Sequence, residues 1–432
     1  MRYDVGRFRR PMRRGAMEQL VSLISLGDGS TLSLDFTAMG GTLDSRFTFT
    51  RSSTTSTYIN SNGYVATAGT NVPRFDYDPT TLVARGLLIE GSATNLALRS
   101  DDFNTTVTDG TQWSASGYTS GTLSTTLPDG TTGNARRISI ASGSGSFRSQ
   151  AITVSASTAY TWSFWARNNG GSQARYRVWN VTAGSSIVDY TLSGSNFVSS
   201  IGGANNTSST WVRVSVTFTT PAGCTSVYVY PCSSDSGTVD LLVWGAQLEA
   251  GSGASSYIPT GASTVQRTAD TCIASSTGFS SWFTGGTSGT FYADWYGGVR
   301  GITSTVRTVL STSDVTARHL HLHQTAPAGN LKVADFGAAN VVTTSNSITS
   351  GAHTKGAFSF SGGTVNLTLN GGTVATSSSL AFSTAPTWLV LGGTSTDGST
   401  ITDATVLLNG SIRAIKYWPT RLPNSTLQSL TA

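Results

Sequence analysis

The stretch Val212-Arg213-Val214-Ser215-Val216-Thr217-Phe218 alternates apolar and polar residues with a period of two. Because successive side chains of a β-strand point to opposite faces of a sheet, this pattern is typical of a strand with one buried face. Tyr160, Trp162 and Phe164 alternate with Thr161 and Ser163 in the same way. Clusters of Gly, Asn, Asp and Ser separate such runs, and Asn370-Gly371 is a hairpin-turn dipeptide. The chain is therefore predicted to form many short strands joined by turns.

The composition agrees with a β-rich chain and argues against three other classes. Charged residues make up 11% of the 432 positions, against about 25% in an average domain, while aromatic residues hold at 9%. Disordered chains combine few aromatic residues with high net charge, and collagen needs Gly at every third position, so neither class fits. No run of about 18 apolar residues occurs, so no transmembrane helix is predicted.

The length exceeds what one hydrophobic core usually supports, so several domains are expected. No period of about 20–50 residues repeats, which argues against a solenoid. We predict an all-β fold in which two tandem β-sandwich (jelly-roll) domains follow a small β module and a basic N-terminal arm. The predicted segments are a basic anchoring arm and adaptor (1–30), a small oligomerising β module (31–95), a first sandwich (96–262), a linker (263–275) and a second sandwich (276–432).

The net charge is concentrated at the N-terminus. The first fifteen residues hold six arginines and one acidic residue, Asp4, and so carry the whole formal net charge of +5. Guanidinium groups pair well with carboxylates and phosphates, so this arm is predicted to dock on an acidic protein surface or on nucleic acid. A solvated tail is the alternative. The predicted anchoring residues are Arg2, Arg7, Arg9, Arg10, Arg13 and Arg14.

The cysteines indicate a reducing compartment. Cys224, Cys232 and Cys272 are odd in number and lack metal-ligand spacing, which argues against a disulfide framework. Cys224 and Cys232 flank a predicted strand, so their pairing stays open. The apolar stretch Leu20–Leu26 is short and interrupted by serines, and no cleaved secretion signal is expected.

No catalytic constellation stands out, and we predict that the protein is not an enzyme and needs no cofactor. Glycoside hydrolysis requires two carboxylates on either side of the scissile bond. Asp101 and Asp102 would point to opposite faces of a strand, whereas Asp76 and Asp78 could share one. Pro79, however, marks Asp78 as a turn residue. Glu90 and Glu249, each followed by a small residue, are interpreted as carboxylates that accept backbone N–H groups at turns.

The stretch His319-Leu320-His321-Leu322-His323 places three imidazoles on one strand face, with both leucines inside. Imidazole binds transition metals, but alternate side chains along a strand lie about 7 Å apart, too far to share one ion easily. No metal site is therefore predicted. A polar outward face is the first interpretation, and an inter-subunit metal site or a glycan contact is the alternative.

Aromatic residues are the candidates for glycan contact, because sugar rings stack on aromatic side chains. Trp162 is in register with Tyr160 and Phe164 and is predicted to be core. Trp165 has the opposite parity and is predicted to be exposed. For each single aromatic residue, packing is the first interpretation and glycan contact the alternative. The candidate glycan-binding residues are Trp165, Tyr176, Arg177 and Trp179.

Three stretches of the sequence each resemble a part of the proteins of one family. The first stretch contains Phe47-Thr48-Phe49-Thr50-Arg51, Asn71-Val72-Pro73-Arg74-Phe75 and Arg85-Gly86-Leu87-Leu88-Ile89-Glu90-Gly91. The second contains Leu242-Val243-Trp244-Gly245-Ala246-Gln247-Leu248-Glu249 and Ser256-Tyr257-Ile258-Pro259-Thr260. The third contains Leu408-Asn409-Gly410-Ser411-Ile412-Arg413 and Tyr417-Trp418-Pro419. Together they resemble tailed-phage virion structural proteins, the second stretch being similar to a carbohydrate-binding-module jelly roll and the third to a laminin-G or concanavalin-A-like sandwich.

The resemblance implies a structural or adhesive protein of the virion, associated with its tail or head. The basic arm lies outside the resembling stretches. With the arm taken into account, we predict a non-enzymatic tail or head fibre, made in the host cytoplasm, whose N-terminus attaches to capsid, portal or tail proteins and whose sandwiches bind host-surface glycan, without membrane insertion. A homotrimer is predicted, because residues 31–95 are too few to bury a good core alone. A capsid decoration or cement protein without receptor binding is the alternative, and a polysaccharide-degrading tailspike is a third.

Overall fold

A computed structural model describes residues 25–103, 105–117, 119–141, 144–193, 210–234, 238–284, 286–297, 306–314, 318–325, 329–334, 340–349, 351–378, 386–401 and 403–432. The six arginines of the predicted anchoring arm lie outside these residues. The described chain folds almost entirely into antiparallel β-sheets, which confirms the predicted all-β fold class of β-sandwich domains. No described helix is long and apolar enough to cross a membrane.

Two large sheets form what we term the host sandwich. Its first sheet, sheet 1, has the strand order β28-β27-β26-β21-β30-β6-β5, with β1 also paired to β30. The strands of sheet 1 are β1 (Leu32–Asp35), β5 (Phe75–Tyr77), β6 (Ala84–Ile89), β21 (Ser288–Tyr296), β26 (His353–Ser361), β27 (Thr364–Leu369), β28 (Ala375–Ser377) and β30 (Gly410–Trp418).

Sheet 2 packs against sheet 1 and has the strand order β2-β20-β29-β22-β23-β24-β25. Its strands are β2 (Thr48–Thr50), β20 (Thr271–Ser275), β22 (Val306–Ser313), β23 (Arg318–Thr325), β24 (Gly329–Ala334), β25 (Asn340–Ile348) and β29 (Trp388–Leu391). The core between the sheets contains Phe291 and Trp295 from sheet 1 and Leu310 and Leu389 from sheet 2.

Described strands between Ser114 and Ala250 form the second sandwich, which we term the insert sandwich. Sheet 3 has the order β16-β13-β18-β10-β9, and its strands are β9 (Thr119–Thr126), β10 (Thr132–Ile140), β13 (Ala159–Asn168), β16 (Val212–Thr219) and β18 (Val239–Ala250). Sheet 4 has the order β15-β14-β17-β11-β8, with β12 paired to β17. Its strands are β8 (Ser114–Ser116), β11 (Gly145–Arg148), β12 (Ile152–Thr153), β14 (Gln173–Asn180), β15 (Ser185–Ser193) and β17 (Ser226–Ser234).

Two short ribbons and two helices complete the described chain. One ribbon pairs β3 (Ser56–Ile59) with β4 (Val65–Ala68), and the other pairs β7 (Ala93–Asn95) with β19 (Val265–Arg267). The chain enters and leaves the insert sandwich along the second ribbon. Helix α1 spans Ser276–Ser280, and α2 spans Asn424–Thr431, where the sequence after Pro423 favours a helix. Short 3₁₀ turns span Ser25–Asp28 and Ala404–Val406.

The structure differs from the predicted division at residues 31–95 and 263–275. Strands β1, β5 and β6 belong to sheet 1 and β2 to sheet 2, so residues 31–95 complete the host sandwich instead of forming a module. The predicted linker contains β19 and β20, which pair with β7 and with β2 and β29. Strands β1 and β6 pair with β30, and β2 pairs with β20, each partner more than 200 positions further along the chain, and local sequence patterns do not reveal such contacts.

Candidate functional site

Alternation along two neighbouring strands of sheet 4 builds an aromatic outer face. In β14, Ala174, Tyr176 and Val178 are buried toward sheet 3, and the residues between them are partly exposed. In β17, Val227 and Val229 enter the same core, while Tyr228 is partly exposed on the outer face and Tyr230, opposite Arg177, is buried. The strand register places Trp179 opposite Tyr228, and Arg177 opposite Tyr230. One aromatic pair and one arginine–tyrosine pair, from distant parts of the chain, therefore meet on one face.

Arginines pack on these rings. The Arg148 guanidinium, at the end of β11, lies 3.7 Å from the centre of the Tyr228 ring. The Arg177 guanidinium lies 5.6 Å from the Trp179 ring centre and 5.8 Å from that of Tyr230. Stacking on an aromatic face orients a guanidinium and leaves its N–H edge available. We term these five residues, Arg148, Arg177, Trp179, Tyr228 and Tyr230, the platform.

A cavity of about 580 Å³ adjoins the platform at Arg148 and Tyr228. Its other walls come from the segments before β8 and after β11 and carry mainly polar groups. The carbonyl oxygens of the Gln112 and Gln150 side chains are buried there without a hydrogen-bond partner among the described residues. Buried acceptors normally receive a hydrogen bond. A water or a ligand hydroxyl that donates to these two oxygens would therefore remove the free-energy cost of burying them without a partner.

The cavity wall is fixed by a hydrogen-bonded serine. The Ser149 hydroxyl donates to the carbonyl of Gln150 at 2.8 Å and accepts the N–H of Val229 at 3.1 Å. Ser149 is fully buried. These hydrogen bonds hold the segment after β11 against β17. The neighbours of Ser149 in the chain, Arg148 and Gln150, are thereby fixed in position at the cavity.

The charge next to the platform is held in a salt-bridge cluster. Asp189 accepts two hydrogen bonds of 2.5 Å from Arg175 and lies 3.1 Å from Arg177. The hydrogen bond from Arg175, together with the charge of Arg177, lowers the pKa of the Asp189 carboxyl despite partial burial. Burial raises the pKa of the Tyr230 hydroxyl, although Arg148 and Arg177 oppose this. Both groups therefore keep their ordinary charge states at neutral pH.

The prediction that Trp165 is exposed is wrong. Trp165 is buried, and its ring meets Trp244 and Tyr257 edge to face at 5.3 Å and 5.4 Å. Arg213 covers the ring at 4.6 Å, and a Cβ at Gly245 would lie 2.6 Å from it. Trp165 does have the opposite parity from Trp162, but the face it points to is covered by residues 255–257, beyond the strand.

Tyr176, Arg177 and Trp179 do not share one face. Tyr176 points into the core, stacking on Tyr190 at 5.2 Å and meeting Phe164 edge to face, so it lies on the opposite side of β14 from the platform. Burial raises the pKa of its hydroxyl to about 12. Arg177 and Trp179 belong to the platform, and their contact with glycan remains a prediction. The sequence reasoning missed Arg148, Tyr228 and Tyr230, although the alternation of Val227 and Val229 with the two tyrosines already separated two faces.

Among the residues that the structure describes, no cluster of three His, Cys, Asp or Glu side chains could hold a metal ion. Leu320 and Leu322 are fully buried, as the alternation predicts. His323 is buried too, which corrects the expected outward face at this position, and the side chains of His319 and His321 lie outside the described residues. Cys224, Cys232 and Cys272 are all free and buried, so Cys224 and Cys232 are not paired.

The carboxylates weighed for catalysis have structural partners. Asp76 accepts the N–H of Ile59 at 2.8 Å, and Asp78 accepts the N–H groups of Thr80 and Thr81. Glu90 accepts the N–H of Ser256, and Glu249 that of Ser255, both at 2.8 Å. The predicted structural role of Glu90 and Glu249 is thereby confirmed.

Glu90 belongs to a buried junction between the two sandwiches, where it binds Ser256 of the returning chain. Arg74 donates to Glu90 at 2.8 Å and also contacts Asp270, while Arg51 donates to Asp270 at 3.1 Å. Arg267 lies 3.6 Å from Glu90. Burial alone would raise the pKa of Glu90, but Arg267 and Arg74 hold it well below its usual range. Residues of two of the stretches that resemble phage proteins thus meet in an architectural contact.

No protein-family model and no curated protein matches the sequence. Several solved structures are similar to about a third of it. The heptameric SAP-like pentraxin of Limulus polyphemus is 13% identical over 34% of this chain and 70% of its own, with a TM-score of 0.30. The CBM40 module of the Ruminococcus gnavus IT-sialidase, bound to α2,3-sialyllactose, is 19% identical over 34% of this chain and 83% of its own, with a TM-score of 0.26. The enzymatically active domain of tailspike protein 4 from bacteriophage CBA120 is 14% identical over 34% of this chain and 22% of its own, with a TM-score of 0.24. Likenesses this distant concern the β architecture alone.

Proposed function

We propose that the protein binds glycan on the outer face of sheet 4, with the platform as the stacking surface. The observation that carries this proposal is the convergence of Trp179, Tyr228 and Tyr230 beside a cavity with polar walls. Sugar rings present apolar C–H faces to aromatic rings and hydroxyls to side-chain amides. Gln112 and Gln150 supply amides at the end of the platform.

We also propose that the protein is not an enzyme. The residues that line the cavity in the described structure include no carboxylate, whereas glycoside hydrolysis requires a pair. Incubation with polysaccharide should leave the chain-length distribution unchanged. Shortened chains, measured by size-exclusion chromatography, would favour the tailspike alternative instead.

Binding is tested with the full chain on immobilised bacterial capsule, lipopolysaccharide and wall polysaccharides. We expect retention on at least one of them, and a loss of about tenfold or more in affinity for Y228A and W179A, since a stacking contact on an aromatic side chain is worth on the order of 1 kcal/mol or more. Trp211 is the matched control, because it is a partly exposed tryptophan that bonds to Thr126 on sheet 3. Absence of retention, or equal loss for W211A, would refute the proposal.

The biological setting that we propose is the virion of a tailed phage, in a tail or head fibre held by the N-terminal arm. Its support is the sequence resemblance together with the six arginines in the first fifteen residues. Deletion of residues 1–15 should release the protein from purified particles while the sandwiches stay folded. Retention of the truncated protein on particles would contradict the anchoring role.

A capsid decoration or cement protein is the second candidate, and one observation favours it. Residues of the resembling stretches, including Arg74 and Glu90, lie in the buried junction, which serves architecture and not recognition. Host adsorption separates the candidates: particles that lack the protein should adsorb more slowly if it is an adhesin and at the same rate if it is a decoration.

A homotrimer remains a prediction, and the fold weakens one reason for it. Most apolar side chains of residues 31–95 are buried in their own chain, mainly in the host sandwich, although Tyr64, Val72, Leu82 and Val83 are exposed. Covering exposed strand edges is the remaining reason. Mass measurement of the purified protein at micromolar concentration should give three chains, and a monomer would contradict the trimer.

A further inference from the structure

We infer that the glycan bound on the platform is anionic, a polysaccharide whose sugars carry a carboxylate or phosphate group. This inference rests on the proposed function and adds the ligand class. It is based on the hydrogen bonds and ion pairs of the Arg148 side chain, which lies where the platform meets the cavity. In the described structure the only hydrogen bond of its side chain is from Nη1 to the Ser149 carbonyl at 3.2 Å, and the guanidinium forms no ion pair there.

The surrounding acids are already engaged elsewhere. Asp189 is held by Arg175 and Arg177, so this face of sheet 4 presents three arginines against one aspartate. Asp109 precedes the cavity residue Gly110, but it binds Arg99 at 2.9 Å and the N–H of Thr111 at 2.9 Å. The cavity lining itself is neutral apart from Arg148. The local field therefore favours an anion beside Arg148.

The geometry of Arg148 suits such an anion. A guanidinium stacked on a tyrosine ring loses little further freedom when it binds, and its fork matches the two oxygens of a carboxylate or phosphate. Trp179, opposite Tyr228 in the strand register, would carry the sugar ring while Arg148 pairs with its anionic substituent. Charge-assisted hydrogen bonds of this kind are worth enough to change affinity about tenfold or more.

The test compares acidic polysaccharides with their own carboxyl-reduced forms. Polygalacturonate, alginate, hyaluronan and polysialic acid serve as carboxylate probes, wall teichoic acid as the phosphate probe, and dextran and galactan as neutral probes. We expect binding to at least one anionic probe, about tenfold or more tighter than to its carboxyl-reduced form or to the neutral probes. Preference for teichoic acid alone would identify phosphate as the group.

Two variants connect this preference to Arg148. R148Q should lower the affinity for the anionic probe by about tenfold or more and so abolish the preference over the neutral form, while R148K should restore the preference in part, because charge returns without the fork. Arg421, exposed on the host sandwich near Asn424, is the control for net charge, and R421Q should bind as the wild type does. Equal loss in R148Q and R421Q would overturn the inference.

The outcomes distinguish the two levels of the proposal. Equal affinity for an acidic polysaccharide and its carboxyl-reduced form, or binding to neutral probes alone, would overturn the anionic ligand and leave glycan binding intact. No binding to any probe or to the bacterial polysaccharides would overturn both.

Discussion

Nη1 of Arg74 donates to Oε2 of Glu90 at 2.8 Å, and both side chains are buried between the two sandwiches. The same nitrogen donates to the Ser256 hydroxyl, which belongs to the insert sandwich, at 2.8 Å. One arginine of the host sandwich therefore holds the returning end of the insert. The relative position of the sandwiches depends on charges that are inaccessible to water.

Loss of Arg74 should destabilise the protein strongly. R74M leaves Glu90 and Asp270 buried with fewer compensating charges, and removing one partner of a buried pair costs about 3–5 kcal/mol. The matched control is R85M, since Arg85 pairs with Asp78 at the surface, where such pairs are worth about 0–1 kcal/mol. Urea unfolding measures both free energies, and similar values for the two variants would show that the junction is not the stabilising contact described here.

Asp76 should make stability fall as the pH rises. Burial raises the pKa of its carboxyl to about 6, so between pH ~4 and 6 the native state holds a proton that the unfolded state releases. Above pH 6 the buried charge opposes folding. D76N should therefore be more stable than the wild type at pH 8, by roughly 1–3 kcal/mol, with the difference vanishing near pH 4.

Asparagine can still accept the N–H of Ile59, so D76N keeps the hydrogen bond of the native carboxyl. Thermal unfolding followed at several pH values gives the difference curve directly. A difference that does not vary with pH would exclude titration of Asp76 as its cause.

Gly86 should not tolerate a side chain. Its φ is +94°, and a Cβ there would lie 2.1 Å from the carbonyl oxygen of Ile412 on β30. Strain at positive φ and overpacking each cost about 1–3 kcal/mol, so G86A should lose about 3 kcal/mol or more. Gly121, in β9, has open space around it, and G121A should be neutral or slightly stabilising. Comparable losses in both variants would contradict this account of β6 and β30.

Trp165 and Trp179 should respond differently to truncation. W165A removes a ring packed against Trp244 and Tyr257, and should cost about 3–5 kcal/mol of unfolding free energy. W179A removes a partly exposed ring and should cost little stability while weakening glycan binding. Chemical denaturation and retention on polysaccharide measure the two effects, and a reversed pattern would restore Trp165 as the contact residue.

The sequence predicts local structure better than long-range contacts. Alternation correctly indicates the strands around Tyr160–Phe164 and Val212–Phe218, because a half-buried strand leaves a period of two. It does not indicate that β1 and β6 pair with β30, since that partner lies more than 300 residues further along. The host sandwich therefore appears in the sequence as two separate segments.

The candidate site divides in the same way. Arg177 and Trp179 are two positions apart on one strand, so the sequence predicts that they share a face. Their partners Tyr228 and Arg148 lie on other strands, which are brought together only by the order of strands in the sheet. The prediction for Trp165 is wrong because alternation shows which face of the strand a side chain points to, but not whether other residues cover that face. Its cover, Tyr257, comes from the chain that returns toward the junction.

The location of bound glycan is the central claim, and hydroxyl-radical footprinting tests it most directly. The full chain is oxidised with and without the polysaccharide that retains it, and side-chain oxidation is read by mass spectrometry. Trp179 and Tyr228 should become protected, while Trp211 on sheet 3 and the half-exposed Tyr190 should react as before. Protection of Trp211 or Tyr190, with Trp179 and Tyr228 unchanged, would contradict the account.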